Sequence, residues 1–217
     1  MKYKKGKNLT LKDKKSIFIE PTVIIGDNVT IYENNRICGN TIIKDGAVIM
    51  PNCFIVDTVI GENSKINASQ TDSAVVGKNC DVGPFARLRP KAEICDNAKI
   101  GNFVEIKNAI VGKGTKVNHL AYVGDAELGE NCNVGCGAIF VNYNGRTKSR
   151  TIVGDECFIG SNCNIIAPVV IESRSYICAG TTITEQVHTD DFVIGRVRQE
   201  VKEGRAHQYL KEFKKGE

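Results

Sequence analysis

Aliphatic residues recur at every sixth position through most of the chain. A small residue, alanine or cysteine, usually lies two positions before the aliphatic, and glycine often follows it. A hexapeptide period of this kind is typical of a β-helix, in which each six residues form a short strand and a corner. Helical periodicity is absent between residues 17 and 185, so the pattern does not favour a sandwich or an α/β fold. The three longest unbroken series are Ile25, Ile31, Ile37, Ile43, Ile49 and Ile55; Val76, Val82, Leu88, Ile94, Ile100 and Ile106; and Val153, Ile159, Ile165, Ile171, Ile177 and Ile183.

The extent of the repeat predicts the domain organisation. We predict an all-β domain of parallel β-helix over residues 17–185, flanked by a basic tail at 1–16 and a C-terminal segment at 186–217. The polar stretch 70–74 shifts the register and is interpreted as an irregular corner. The polar insertion 142–150 predicts a protruding loop, and such loops often lie on the binding face. Near the C-terminus, Tyr209, Leu210 and Phe213 form a weak apolar stripe, which indicates a short helix or a frayed tail.

The net charge of +4 comes from the two ends of the chain, and residues 1–15 hold seven lysines against one aspartate. Like-charge blocks of this kind are mostly solvated, so we expect no nucleic-acid partner. The sequence has no apolar run long enough for a membrane span, and no apolar segment follows the basic N-terminus as a secretory signal requires. We therefore expect a cytoplasmic protein.

The nine cysteines do not form a metal or disulfide pattern, because no CxxC occurs and the number is odd. Five of them stand in the small-residue position of the repeat, where they predict buried apolar side chains. These five are Cys53, Cys80, Cys132, Cys157 and Cys163.

Polar residues that the repeat does not need are concentrated in residues 82–148. A β-helix core is solid, so any site must lie on an outer face or between copies of the chain. His119 is the only histidine within the predicted coils. A histidine at a corner is often an exposed bystander, but cations near it fit a phosphate-bearing substrate beside a general base. A zinc site made of histidines alone needs three of them, so we expect no metal. The residues concerned are Arg87, Arg89, Lys107, His119, Tyr122, Asn133, Asn142 and Lys148.

Several long motifs resemble one family. They are similar to the acetyltransferase domain of the bacterial bifunctional N-acetylglucosamine-1-phosphate uridyltransferases/glucosamine-1-phosphate N-acetyltransferases. The resemblance implies a left-handed β-helix and a homotrimer with sites between subunits. It also implies transfer of acetyl from acetyl-CoA to the amine of glucosamine-1-phosphate, a step toward UDP-N-acetylglucosamine and the peptidoglycan cell wall. The motifs are GPFARLRP (83–90), GNFVEIK (101–107), VNHLAYVGDAELGENCNVGCG (117–137), VNYNG (141–145), IIAPV (165–169) and AGTTIT (179–184).

The same resemblance assigns roles to single residues. His119 matches the general base, and the backbone carbonyl of Asn142 is expected to orient it. The amide of residue 136 is expected to stabilise the oxyanion, although Cys136 stands where the family usually has alanine, as Ala121 stands for a threonine. Lys148 matches a lysine that reaches a neighbouring subunit. The substrate-binding set is Arg89, Lys107, Tyr122, Asn133 and Lys148, and the coenzyme-binding set is Asn142, Tyr143, Cys136, Ser161, Ala179 and Arg196.

The family's uridyltransferase domain has no counterpart among the motifs. No glycine-rich nucleotide loop opens the chain, so we expect neither uridyl transfer nor its magnesium, and a separate uridyltransferase is a possible partner. Two alternatives stay open. One keeps acetyl transfer but changes the acceptor to another amino sugar or a nucleotide sugar. The other is a non-catalytic β-helix that partners a separate nucleotidyltransferase.

Overall fold

The chain winds into a triangular prism of short parallel strands, and the computed structural model describes residues 3–210 of it. Nearly all strands contain two or three residues and pair with the strands one coil before and after. The predicted all-β, parallel β-helix is therefore confirmed, and the hexapeptide repeat makes it left-handed. No helix within residues 3–210 has the length and hydropathy to cross a membrane.

Three faces make up the prism. The first face is a ten-stranded sheet of Lys4–Lys5, Ile24–Ile25, Ile42–Ile43, Val59–Ile60, Val75–Val76, Glu93–Ile94, Ile110–Val111, Ala126–Leu128, Thr151–Val153 and Val169–Ile171. The second contains Thr10–Leu11, Thr30–Ile31, Val48–Ile49, Lys65–Ile66, Asp81–Val82, Asn133–Val134, Phe158–Ile159, Tyr176–Ile177 and Phe192–Val193. The third contains Phe18–Ile19, Arg36–Cys38, Phe54–Val56, Gln70–Asp72, Arg87–Leu88, Ile139–Val141, Asn164–Ile166 and Thr182–Ile183. Two nine-residue strands, Lys99–Lys107 and Lys116–Gly124, continue from the second face onto the third.

The inward positions form continuous columns, because paired strands are parallel and keep the repeat in register. Ile25 pairs with Ile43, and Ile43 with Ile60, and all three are buried. Stacking of this kind removes a complete row of aliphatic side chains from water, which is the main favourable contribution to folding. The five cysteines predicted to be small buried residues are all buried and unpaired, and burial raises the pKa of Cys53 to about 11.

The coil extends past both boundaries that the repeat predicts. Lys4–Lys5 pairs with Ile24–Ile25, so the described part of the predicted basic tail is the first coil. Its inward positions include Tyr3 and Leu9, which are partly buried and pack against the core. At the other end, Phe192–Val193 pairs with Tyr176–Ile177, and Val187 bridges to Ile171.

Two local predictions need correction. Residues 70–72 are not an irregular corner but a regular third-face strand, in which buried Thr71 takes the aliphatic position opposite Leu88. Threonine has the shape of valine, so it fits this inward position. Because threonine is polar, the hydrophobic pattern of the sequence does not show that the position is inward. The C-terminal helix is a single 3-10 turn at Arg205–Gln208, and Tyr209 and Leu210 are exposed. Phe213 lies outside the described residues.

Candidate active site

His119 lies in the strand Lys116–Gly124, at the corner between the second and third faces. It is exposed, and its Nδ1 lies 3.1 Å from Oδ1 of Asn102, its partner in the preceding coil. The next residue, Leu120, has a positive φ of 38° and a 58 % exposed side chain. Phe85 and Phe103, at the same corner of the two preceding coils, also have positive φ, so this backbone conformation belongs to the corner.

A single line of residues continues from His119 along this corner. The Gly137 N–H donates to the Leu120 carbonyl, which places Cys136 one coil after His119. The Asn162 N–H donates to the Cys136 carbonyl, and the Gly180 N–H to the Ser161 carbonyl, both at 2.8 Å. Arg196 then donates from Nη1 to the Ala179 carbonyl at 3.0 Å. We call this line of His119, Cys136, Ser161, Ala179 and Arg196 the His119 edge.

A shallow basic groove lies beside His119 on the second face. Lys99 and Lys116 pair in register there, and Asn133 follows Lys116 in the next coil. Neither lysine was singled out from the sequence. Their side chains are exposed, so the groove carries positive charge next to the imidazole.

The opposite corner of the third face is organised around a buried carboxylate. Lys107 Nζ lies 3.0 Å from both carboxylate oxygens of Asp125, and the two side chains are only 18 % and 9 % exposed. Asn108 and Asn142 also donate from their amide nitrogens to Asp125. Burial alone would raise the pKa of Asp125, but the hydrogen bonds from Asn108, Lys107 and Asn142 outweigh it and the pKa is lowered. We call these four residues the Asp125 cluster.

Arg89 lies close to this cluster, on the same side of the third face. Its Nη1 forms an ion pair with Glu105 Oε1 at 2.7 Å. Tyr122 pairs in register with Glu105 in the next coil. The Tyr122 ring lies over Gly124, where a Cβ atom would be 2.3 Å from the phenol oxygen, so a larger residue there would displace the ring.

The insertion 142–150 is a short hairpin between two coil strands. Tyr143 and Lys148 form an antiparallel bridge, and the Asn144 side chain accepts from the backbone N–H groups of Arg146 and Thr147. The carbonyl of Asn142 accepts from the Ser149 N–H at 2.9 Å. Lys148 is exposed. The hairpin is therefore held in one shape by its own contacts and anchored to the coil through Asn142 and Asp125.

Within one chain the predicted site residues fall into two groups. His119 and Asp125 lie at opposite corners of the third face, six residues apart, which is at most about 20 Å at roughly 3.3 Å per strand residue. The coenzyme candidates Cys136, Ser161, Ala179 and Arg196 join His119, whereas Asn142, Tyr143 and Lys148 join the Asp125 cluster. Among residues 3–210, the polar partner of His119 is Asn102 rather than the Asn142 carbonyl.

Sequence reasoning missed Asp125 and Asn102, the two side chains that position Lys107 and His119. Both lie one coil from the residue they contact, at sequence separations of 18 and 17. The coil period was itself visible in the sequence. A step of 18 residues forward from Lys107 leads to Asp125, and a step of 17 residues back from His119 leads to Asn102.

Comparison with known proteins identifies the repeat. The family described as "Bacterial transferase hexapeptide (six repeats)" matches residues 73–108, and "Hexapeptide repeat of succinyl-transferase" matches residues 150–185. The chain is similar to the bifunctional protein GlmU of Clostridium novyi, with 48 % identity over 191 residues, covering 88 % of this chain and 42 % of that protein. The GlmU protein of Clostridioides difficile is 46 % identical over 196 residues, covering 90 % and 43 %.

The chain thus spans less than half the length of these curated relatives. Among solved structures, it is similar to LpxA, a UDP-N-acetylglucosamine acyltransferase from Bacteroides fragilis, with a TM-score of 0.54 and 22 % identity over 83 % of this chain and 70 % of that one. At this identity the structural likeness concerns the fold alone. The sequence likeness to GlmU agrees with the family indicated by the motifs.

Proposed function

Because this chain is a hexapeptide-repeat homologue of part of the bifunctional GlmU proteins, we propose that it is an acetyl-CoA-dependent N-acetyltransferase. Its acceptor is the amine of glucosamine-1-phosphate, and its product is N-acetylglucosamine-1-phosphate. We assign this activity to the β-helix of residues 17–185 together with its inserted loop, residues 142–150. The resemblance of the motifs suggests this acceptor, and the arrangement of charged groups supports it.

The observation that carries the proposal is the His119 edge. One potential base and four residues matched to coenzyme contacts stand in line on successive coils, although they are scattered through 78 positions of sequence from His119 to Arg196. Neighbouring coils are about 4.8 Å apart, so the line is about 19 Å long. A long, thin thioester can lie along it with its acyl end at His119 and its nucleotide end at Arg196.

His119 is suited to deprotonate the attacking amine. An amino sugar is largely protonated near neutral pH, and only the free amine attacks a thioester. If the Nδ1–H donates to Asn102, the Nε2 lone pair stays free to accept the proton. The ammonium first loses one proton to solvent. As the free amine attacks the carbonyl carbon, Nε2 takes a second proton from its nitrogen, the C–S bond breaks, and the imidazolium gives that proton to the departing thiolate of coenzyme A.

The backbone at residue 136 supplies a donor for the oxyanion. Among residues 3–210, no acceptor is found for the Cys136 N–H, as for the equivalent N–H groups of Ser161 and Ala179, and of these three the Cys136 N–H lies one coil from His119. An unpaired N–H next to the base can stabilise the negative charge that develops on the thioester oxygen. This role uses only the backbone, so the thiol of Cys136 takes no part in the chemistry.

The acceptor phosphate is assigned to Arg89, Lys107 and Lys148, with Tyr122 and Asn133 as further contacts. Arg89 and Lys107 already face Glu105 and Asp125, so the third cation, Lys148, leaves the group with a net positive charge. The two groups of residues lie too far apart in one chain to share a small sugar phosphate. We therefore assign the site to the junction between copies, in a homotrimer, where the loop of one copy reaches the His119 edge of another.

The test is a thiol-release assay with acetyl-CoA and four acceptors: glucosamine-1-phosphate, glucosamine, glucosamine-6-phosphate and UDP-glucosamine. We expect rapid release with glucosamine-1-phosphate and slow release with glucosamine and the 6-phosphate. A preference for another amine would keep the chemistry and change the acceptor. If a folded, assembled protein released no thiol with any of the four, acetyl transfer to amino sugars would be ruled out.

A further inference from the structure

A groove of about 390 Å³ lies on the third face, directly before Arg89 along the prism axis. It lies outside the residues assigned to the acceptor and the coenzyme, except that Arg89 forms its end. Three successive strands line it, Phe54–Val56, Gln70–Asp72 and the strand containing Arg87. Its volume falls in the range of small-ligand sites.

The chemistry of the groove changes in order from coil to coil. Its first row holds two guanidinium groups, Arg87 and Arg89. The next row holds the carboxylate of Asp72 and the amide of Gln70, which pairs in register with Arg87. The last row presents the ring of Phe54, which pairs with Gln70 and is 43 % exposed. Cations, a carboxylate and an aromatic ring therefore follow one another at steps of about 4.8 Å.

This order matches the parts of a nucleoside diphosphate. Guanidinium groups bind phosphate oxygens, and a carboxylate accepts hydrogen bonds from ribose hydroxyls. An aromatic ring stacks on the face of any nucleobase, and an amide can pair with its edge. We infer that the groove binds a nucleoside diphosphate whose terminal phosphate lies at Arg89. The link to catalysis rests on the proposed function, since Arg89 is there assigned to the phosphate on C1 of the amino sugar.

Two further observations support a ligand at this place. Arg87 forms no ion pair within residues 3–210, whereas Arg89 is paired with Glu105, so the Arg87 guanidinium is available to a ligand phosphate beside the Asp72 carboxylate. The second is a contrast between exposed aromatics of the same face. Arg36 covers the ring of Phe18, with 4.7 Å from Cζ to the ring centroid. No cation or aromatic ring within the described residues is stacked on Phe54.

Asp72 is compatible with this assignment. Its Oδ1 accepts a hydrogen bond from the Ser73 hydroxyl at 2.7 Å, which leaves the other carboxylate oxygen for the ribose. The Asp72 carboxylate lies one coil before Arg89 and is therefore separated from the phosphates bound at Arg89. The groove consequently selects a nucleoside diphosphate over a bare polyphosphate.

The direct test is isothermal titration calorimetry of the full chain with UDP and with inorganic pyrophosphate. We expect UDP to bind at least about tenfold more tightly than pyrophosphate, because only UDP can stack on Phe54. Phe54→Leu and Arg87→Gln should each weaken UDP binding by about tenfold. The matched controls are Phe192→Leu and Arg174→Gln, which change the same residue types far along the chain from the groove and should leave the UDP affinity unchanged. Equal affinities for UDP and pyrophosphate, or equal losses in the control variants, would overturn the inference.

A kinetic comparison connects the groove to the acceptor site. The KM for UDP-glucosamine should rise more in Phe54→Leu than the KM for glucosamine-1-phosphate, and added UDP should compete with both acceptors. Failure here can be separated from failure of the proposed function. Calorimetric binding of UDP does not depend on turnover, and turnover of glucosamine-1-phosphate does not depend on UDP binding.

Discussion

His119 Nδ1 and Asn102 Oδ1 lie 3.1 Å apart on neighbouring coils. An amide oxygen accepts but does not donate, so this contact selects the imidazole tautomer with the proton on Nδ1 and leaves Nε2 as the base. Asn102→Ala should lower kcat by about tenfold with little change in KM, since the imidazole would lose its orientation. Asn102→Asp should instead restore activity and move the acidic limb of the pH–rate profile upward, because a carboxylate favours the imidazolium form. An unchanged kcat in Asn102→Ala would show that another group orients the ring.

Removal of the imidazole itself tests the chemistry. His119→Ala should lower kcat by about a thousandfold, in the range attributed to a positioned general base. Coenzyme A affinity, measured by calorimetry, should stay close to that of the unaltered protein, since the coenzyme contacts lie on the following coils. Turnover near the wild-type level in this variant would contradict the assigned mechanism.

The buried Asp125 carboxylate should contribute stability that depends on pH. Its pKa is lowered in the folded protein, so its contribution is present above the usual value of 3.8 and is lost as the pH falls toward the folded value. Asp125→Asn leaves Lys107 without its counter-charge and should cost about 3 kcal/mol of unfolding free energy at pH 7. Urea denaturation at pH 7 and pH 3 should show the difference between variant and wild type shrinking in acid.

A matched control is the exposed ion pair between Arg174 and Asp190, at 2.7 Å. Asp190→Asn should change stability little at either pH, because solvent screens an exposed pair. A loss in Asp190→Asn as large as that in Asp125→Asn would show that burial is not the source of the effect.

Cys136 is the one exposed thiol among the nine cysteines, and it lies on the His119 edge. Iodoacetamide should alkylate it first, since burial raises the pKa values of Cys53, Cys80 and Cys163 and keeps them protonated. Alkylation should block acetyl transfer, and acetyl-CoA should protect the thiol; peptide mass spectrometry and the thiol-release assay follow both. Cys136→Ala should be active and resistant. Loss of activity in that variant, with the fold intact, would indicate a chemical role for the thiol.

A site shared between copies predicts complementation. His119→Ala and Lys148→Ala should each be nearly inactive as pure assemblies. Coexpression in equal amounts should restore about a quarter of the wild-type activity, because one site in four would draw its intact histidine and its intact lysine from different copies. Mixed assemblies without recovered activity would place both residues in one chain's own site.

The coil could be predicted because the same residue types are required in each six-residue repeat. Every inward position needs an aliphatic side chain and every corner tolerates only a few residues, so the period survives local exceptions such as Thr71. The first coil was not predictable, because Lys4 and Lys5 occupy strand positions whose neighbours are aliphatic in later coils.

The site was only partly predictable for a related reason. Motifs identified His119 and Lys107 as polar exceptions to the repeat, but a motif shows neighbours in sequence and not neighbours across coils. Asn102 and Asp125 therefore looked like ordinary corner residues, and the separation of the candidates onto two corners was invisible. The candidates are separated because residues 119–125 cross the third face from one corner of the prism to the other.

The regular spacing of the coils has a consequence for how such a protein changes its ligands. Groups on one corner are separated along the prism axis by whole numbers of coils. The distance between two such groups can therefore change only in steps of about 4.8 Å. Gain or loss of one coil between Phe54 and Arg89 would lengthen or shorten the ligand that fits the groove by about 4.8 Å. The His119 edge would stay unchanged. Divergence among such proteins should therefore proceed by discrete steps in ligand length rather than by gradual drift.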